Sequence, residues 1–218
     1  MTSNPIRSEG GRPNAHDSGV ASERGSRTGR RFYTADTHFG HRKVAELRGF
    51  ATTDEHDAAL IAAWHDTIGT DDTVWILGDL AMASTNSSVR RTLDIIDRLP
   101  GRKHLVAGNH DPVHPMHRDA HRWQRTYLEV FDSVQPFARH VIGPAEVLLS
   151  HFPYAGDHTE QDRHAQYRLR DEGRWLLHGH THANNRHHSP RQIHVGLDGW
   201  DLRPVDEAAI LALITGRS

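Results

Sequence analysis

Thr73-Val74-Trp75-Ile76-Leu77-Gly78-Asp79-Leu80 is the stretch on which the reading of the fold turns. An unbroken run of β-branched, aromatic and aliphatic residues closed by a glycine is the pattern of a buried strand and its end. An aspartate placed there projects from the carboxyl edge of a sheet, the side on which open α/β folds build their sites. Upstream, Arg31 to Ala35 is a second such run, and it ends in Asp36-Thr37-His38-Phe39-Gly40-His41. Downstream, His104 to Ala107 leads into Gly108-Asn109-His110-Asp111.

Helical spacing fills the gaps between these strands. Ile61, Trp64 and Ile68 share one face of a helix over 54–68. Val89, Leu93, Ile96 and Leu99 share one face over 87–99, and Pro100-Gly101 stops that helix. Alternation of strand and helix predicts βαβ units and a largely parallel layer. In 112–138 the periodicity is poor, with Trp123, Tyr127 and Val130 the best helical set. Further strands are expected at 146–149, ending in Ser150-His151, and at 174–177, ending in His178-Gly179-His180-Thr181-His182. A last strand is expected over 192–197 and a closing helix over 206–214, with Ile210 and Leu213 inward. Segments 154–171 and 184–190 read as loops, the first with a helical piece. Residues 1–29, rich in Gly, Ser, Arg and Asn, have too little to bury and read as a disordered tail to a single domain over 30–218.

Composition narrows the chemistry. A net charge of -2 over 218 residues gives no general attraction to nucleic acid or membrane. No apolar run has the ~18 residues of a membrane span, and no signal peptide is visible, so a cytoplasmic protein is expected. Without cysteine, a metal must sit on His, Asp, Glu or Asn, and the chain carries 20 histidines. Five strand-like runs end in such side chains: Asp36 and His38, Asp79, Asn109 and His110, His151, and His180 and His182. On extended backbone, residues i and i+2 share a face, so the pairs 36/38 and 180/182 should each point at one site. Imidazole and carboxylate without sulfur suit Mn, Fe, Ni, Co or Zn.

The ordered set Asp36-Thr37-His38, Gly78-Asp79, Gly108-Asn109-His110-Asp111, His151 and Gly179-His180-Thr181-His182 resembles the calcineurin-like metallophosphoesterases. With Val195-Gly196-Leu197-Asp198-Gly199-Trp200, it is similar to a small bacterial and phage branch of that family. The resemblance implies an α/β fold, a four-layer α-β-β-α sandwich with its site at the carboxyl ends of the strands. It implies two transition-metal ions, Mn favoured. Asp36, His38 and His182 would hold the first, Asn109, His151 and His180 the second, and Asp79 both. A hydroxide shared by the two ions would attack phosphorus in line. His110 would protonate the leaving oxygen, with Asp111 orienting it. His41 and His178 are expected behind the ligands or against substrate. His187 and His188 read as solvated, and Arg42, Tyr154, Arg168 and Asn184 as ordinary surface residues. The substrate implied is a small phosphate ester, a phosphodiester being favoured because the chain has little room for a specificity cap. Alternatives are a phosphomonoesterase acting on nucleotides or phosphoprotein, and a non-catalytic scaffold of the same fold.

Overall fold

The computed structural model describes residues 29–82, 85–157 and 159–216. The expected tail, residues 1–29, lies outside the described residues except for Gly29. β1 (Arg31–Thr34), β2 (Thr73–Ile76), β3 (Arg102–Val106) and β4 (Ser133–Gln135) lie parallel and in that order. The short β10 (Val205–Asp206) runs antiparallel to β1 on the other edge. In the second sheet β6 (Ala145–Ser150), β7 (Trp175–His178) and β9 (Gln192–His194) are parallel. Its edges, β5 (Phe137–Ile142) and β8 (His187–Ser189), are antiparallel to their neighbours. This is the expected α/β architecture of two sheets flanked by helices.

Side chains of the first sheet alternate between two cores. Phe32, Val74, Ile76 and Leu105 pack against α2 (Thr53–Thr67), α3 (Asn86–Arg98) and α4 (Ala120–Leu128) through Leu60, Trp64, Val89, Leu93, Ile96 and Tyr127. Tyr33, Leu77 and Val106 point the other way, onto Val147, Leu149, Leu177 and Ile193 of the second sheet. The period of two along each strand thus glues helices to one face and a sheet to the other. α5 (Glu207–Thr215) packs on β1, β5 and β10, with Ile210 buried.

Register brings the strand ends level. Thr34 pairs with Ile76 and Ile76 with Leu105, so Asp36, Asp79 and Asn109 leave the sheet at one edge. In the second sheet Leu149 pairs with Leu177 and His178 with His194, which brings His151 and His180 to a common edge as well. A parallel bridge between Ala35 and Gly196 stitches the two edges together.

Besides the short β4 and β10, which the sequence did not suggest, α1 (Arg42–Leu47), β5 and β8 depart from the sequence expectation. α1 was not expected; it buries only Val44 and Ala45 and leaves its apolar Leu47 exposed. β5 was hidden because its outward positions carry Phe137 and Val141, 54% and 71% exposed, the reverse of the usual pattern. The segment 184–190 is not wholly loop, since β8 forms there on β9.

Candidate metal centre

The side chains at the strand ends are aimed by turns rather than by the pleat. Among the described residues, Asp36, His38, Asp79, His180 and His182 are five of the eight non-glycine residues with positive φ, at 58°, 48°, 56°, 69° and 50°. The i, i+2 pairs therefore converge for a different reason from the one that extended spacing suggests. Left-handed backbone costs a non-glycine residue ~1–3 kcal/mol and persists only where surroundings enforce it. The enforcement is visible. Asp36, His38 and Phe39 donate their amides to the carbonyls of Gly78, Asp79 and Leu80 at 3.0, 3.1 and 2.9 Å. Gly78 (φ 84°) lets this crossing happen: a Cβ there would overlap the backbone of Gly108 and sit 2.8 Å from His151 Nδ1.

Two buried groups result. Asp36, His38 and His182 offer donor atoms within 4.8 Å of one another, and so do Asp79, His151 and His180. Asp79 reaches both, with Oδ2 3.8 Å from His38 Nε2 and 3.4 Å from His151 Nε2. Asn109 Oδ1 joins the second group at 2.9 Å from both His151 Nε2 and His180 Nδ1.

The donor chemistry fits two cations. His151 donates Nδ1–H to the Leu77 carbonyl at 2.8 Å, which leaves Nε2 as its inward lone pair. His182 Nδ1 faces Asp198 Oδ2 at 3.0 Å, and His180 Nε2 faces Asp157 Oδ1 at 3.3 Å. In these three histidines the outer nitrogen thus faces an acceptor, which favours the tautomer that aims the other nitrogen inward. The inward atoms then crowd: His151 Nε2 lies 3.2 Å from His180 Nδ1, and His38 Nε2 lies 3.2 Å from His182 Nε2. Such acceptors meet without repulsion around a positive charge.

Electrostatics point the same way. Burial resists charge on His151, yet Asp79, Asp36 and the Leu77 carbonyl outweigh it and raise its pKa to about 9. The site thus draws positive charge to the place beside Asp79. His38 is lowered to about 3 and His180 to about 4, burial being the main cause in each. Asp36 stays below the usual carboxylate range although burial opposes it, because His194, His182 and His151 surround it. Asp79 does so too, chiefly through His151.

The remaining sequence candidates take the following places. His110 is fixed by its amide, which donates to Asp79 Oδ1 at 2.8 Å; its ring packs 5.5 Å from that of His38 and is a third exposed. Asp111 is committed to backbone amides. Its oxygens accept the amides of Gly108, Asp79 and Leu80 at 2.8, 2.9 and 3.1 Å, so it clasps two loops together. Burial and then Asp79 raise its pKa to about 7. His41 caps α1 through Nδ1 and sets its ring edge-on to His38 at 5.3 Å. His178 is buried two side chains behind the first group: its ring is 5.5 Å from His194, whose Nε2 is 3.7 Å from Asp36 Oδ2. Arg168 is not a surface residue; its side chain is 4% exposed and holds Asp162 at 2.6 Å.

Sequence reasoning missed the residues behind the ligands. Arg48, its side chain 4% exposed, grips Asp198 with two bonds of 2.8 and 2.9 Å and the Asp36 carbonyl at 2.8 Å. It thereby supports His182 and Asp36 together. Asp157, held by Arg163 at 3.0 and 3.2 Å, supports His180. His117 donates to the Asn109 carbonyl at 2.9 Å. Only Asp198 had a local signal, its place in the 195–200 motif. Replacing Asp198 with Asn should lower metal affinity at the first group ~10–100-fold, the usual scale for such a partner. Stepwise titration of the metal-free protein should show one weakened site and one unchanged.

Comparisons with known proteins agree with this geometry. The sequence profile of the calcineurin-like phosphoesterase superfamily domain matches residues 34–197. The chain belongs to that superfamily. Among relatives of this calcineurin-like phosphoesterase, the gene 66 protein of Mycobacterium phage L5 is 50% identical over 180 residues, covering 78% of the chain and 86% of the relative. The gene 66 protein of Mycobacterium phage D29 is 49% identical over 185 residues, covering 81% and 92%. A protein of unknown function from Aquifex aeolicus shares the fold at a TM-score of 0.63 and 24% identity, covering 85% of the phosphoesterase and 99% of that chain.

Proposed function

We propose that this superfamily member is a dinuclear phosphodiesterase, with manganese the favoured metal. The observation that carries the proposal is the pair of buried donor groups sharing Asp79. Ions held by Asp36, His38, His182 and Asp79, and by Asn109, His151, His180 and Asp79, would supply Lewis acidity and an activated water. The chain's own contribution is placement. Asp79 offers one negative charge to both positions, so neither is over-neutralised. Asn109 offers an uncharged oxygen, keeping the second position strongly electrophilic. His110, fixed through its backbone and exposed at the mouth, passes a proton from Nε2 to the departing ester oxygen. A phosphomonoesterase is the second reading.

The deciding experiment supplies Mn, Fe, Ni, Co and Zn in turn to metal-free protein and measures metal content and hydrolysis of mono- and diesters. About two ions per chain and faster diester turnover are expected. One ion or none would remove the dinuclear reading, and faster monoester turnover would replace the diesterase one. We also propose that the composition of residues 1–29 makes them dispensable. Deleting them should leave melting temperature and turnover nearly unchanged, and a large fall in either would count against it.

A further inference from the structure

His41, which packs on His38, also forms one wall of a cleft of about 520 Å³. The cleft lies between the start of α1 and one side of α3, from Ser87 to Ile95. Phe39 and Ile95 give it an apolar lining, and Arg42, Lys43 and Arg91 give it positive charge. Thr92 closes it, and the same residue borders a small space lined by His110. The cleft therefore adjoins the first donor group through His41, and it is separated from the space beside His110 by Thr92.

Its charge is one-sided. Asp57 is the acidic residue that lines it, and that carboxylate is already committed to the Gly40 amide at 3.0 Å and to His56 at 3.1 Å. The cations are held only loosely. Arg42 meets Glu46 at 3.0 Å, Lys43 meets the same glutamate at 3.9 Å, and Arg91 meets Asp54 at 3.7 Å. These side chains are 89%, 69% and 68% exposed, and ion pairs so exposed contribute little, so exchanging them for a phosphate costs little. The chain as a whole has a net charge of -2, so this local excess is not a general basic surface.

An apolar lining beside a basic rim, next to a phosphoryl-transfer site, suits a ring and a second anion on one substrate. We propose that this cleft is a specificity subsite for a further phosphate of the substrate, and that the enzyme favours extended nucleotide esters with a second phosphate over small ones. The proposal rests on the phosphodiesterase reading above.

Two substrates test it: thymidine 5′-(4-nitrophenyl phosphate) with and without a 3′-phosphate. Their scissile bond and leaving group are the same. The 3′-phosphorylated ester should have a KM about tenfold lower with kcat unchanged, the scale of one charge-assisted contact. In Arg42→Ala/Lys43→Ala/Arg91→Ala, and separately in Arg91→Glu, the two KM values should converge. Turnover of bis(4-nitrophenyl) phosphate should stay at its original level. Equal KM values in the original protein, or a preference that survives the triple substitution, would overturn the subsite. Inactivity on all three esters would overturn the phosphodiesterase reading instead. The subsite would then be read by titration with thymidine 3′,5′-bisphosphate: binding weakened about tenfold in the triple variant supports it, and unchanged binding overturns it.

Discussion

Asp79→Asn is expected to lose metal from both groups and turnover by at least ~10²–10³-fold, the scale of removing one electrostatic element from a site. The reason is its position. Asp79 Oδ2 is 3.8 Å from His38 Nε2 and 3.4 Å from His151 Nε2, so one carboxylate serves both groups. The amide is the same size, so packing is kept while the shared charge is lost. Metal analysis after reconstitution should show both positions depleted. His38→Ala should deplete one, because His38 belongs to the first group alone. Bound metal raises stability by mass action, so the rise in melting temperature on adding metal should vanish in Asp79→Asn. Full occupancy of either position in Asp79→Asn would show that Asp79 is not shared.

The second large effect is at His110. His110→Ala should retain both metals and lose turnover ~10²–10⁴-fold, the usual worth of general-acid help. The loss should scale with the leaving group. A nitrophenyl diester departs as a stable phenolate and should suffer little. A cyclic nucleotide must release its ribose oxygen as a basic alkoxide and should suffer most. Asn109→Ala should weaken metal binding and harm both esters alike. Equal losses in a fully metallated His110→Ala enzyme would leave His110 a role in charge or placement, not proton transfer.

The contrast between ligands and supports explains what the sequence made legible. Ligand residues sit in short motifs at the ends of apolar runs, where strand, glycine and donor are neighbours in the chain. Gly78-Asp79 and Gly108-Asn109 can be read because glycine and donor are adjacent in the chain, although the crowding that demands each glycine comes from the other loop and from His151. Supporting residues have no such neighbour. Arg48 meets Asp198 across 150 positions, and His180 meets Asp157 through a segment that reads only as polar loop. The pairing of 36 with 38 and of 180 with 182 was foreseen, yet the assumed extended backbone is in fact left-handed at all four residues. β5 escaped notice because periodicity detects burial, and its Phe137 and Val141 face outward.

The bridge between Ala35 and Gly196 bears on how the protein is made. Asp36, Asp79 and Asn109 come from the first sheet, and His151, His180 and His182 from the second. Each proposed ion is therefore gripped from both sides of that seam. His38 and His182 are separated by 144 positions, so neither donor group is complete until most of the chain has been synthesised. On the dinuclear reading, a partly synthesised chain would lack a complete copy of either donor group. Metal binding by a full donor group would then follow the docking of the two sheets, and the ions would act as rivets across the seam. Hydrogen exchange should register this as extra protection of β1 and β7 together, appearing only once metal is bound.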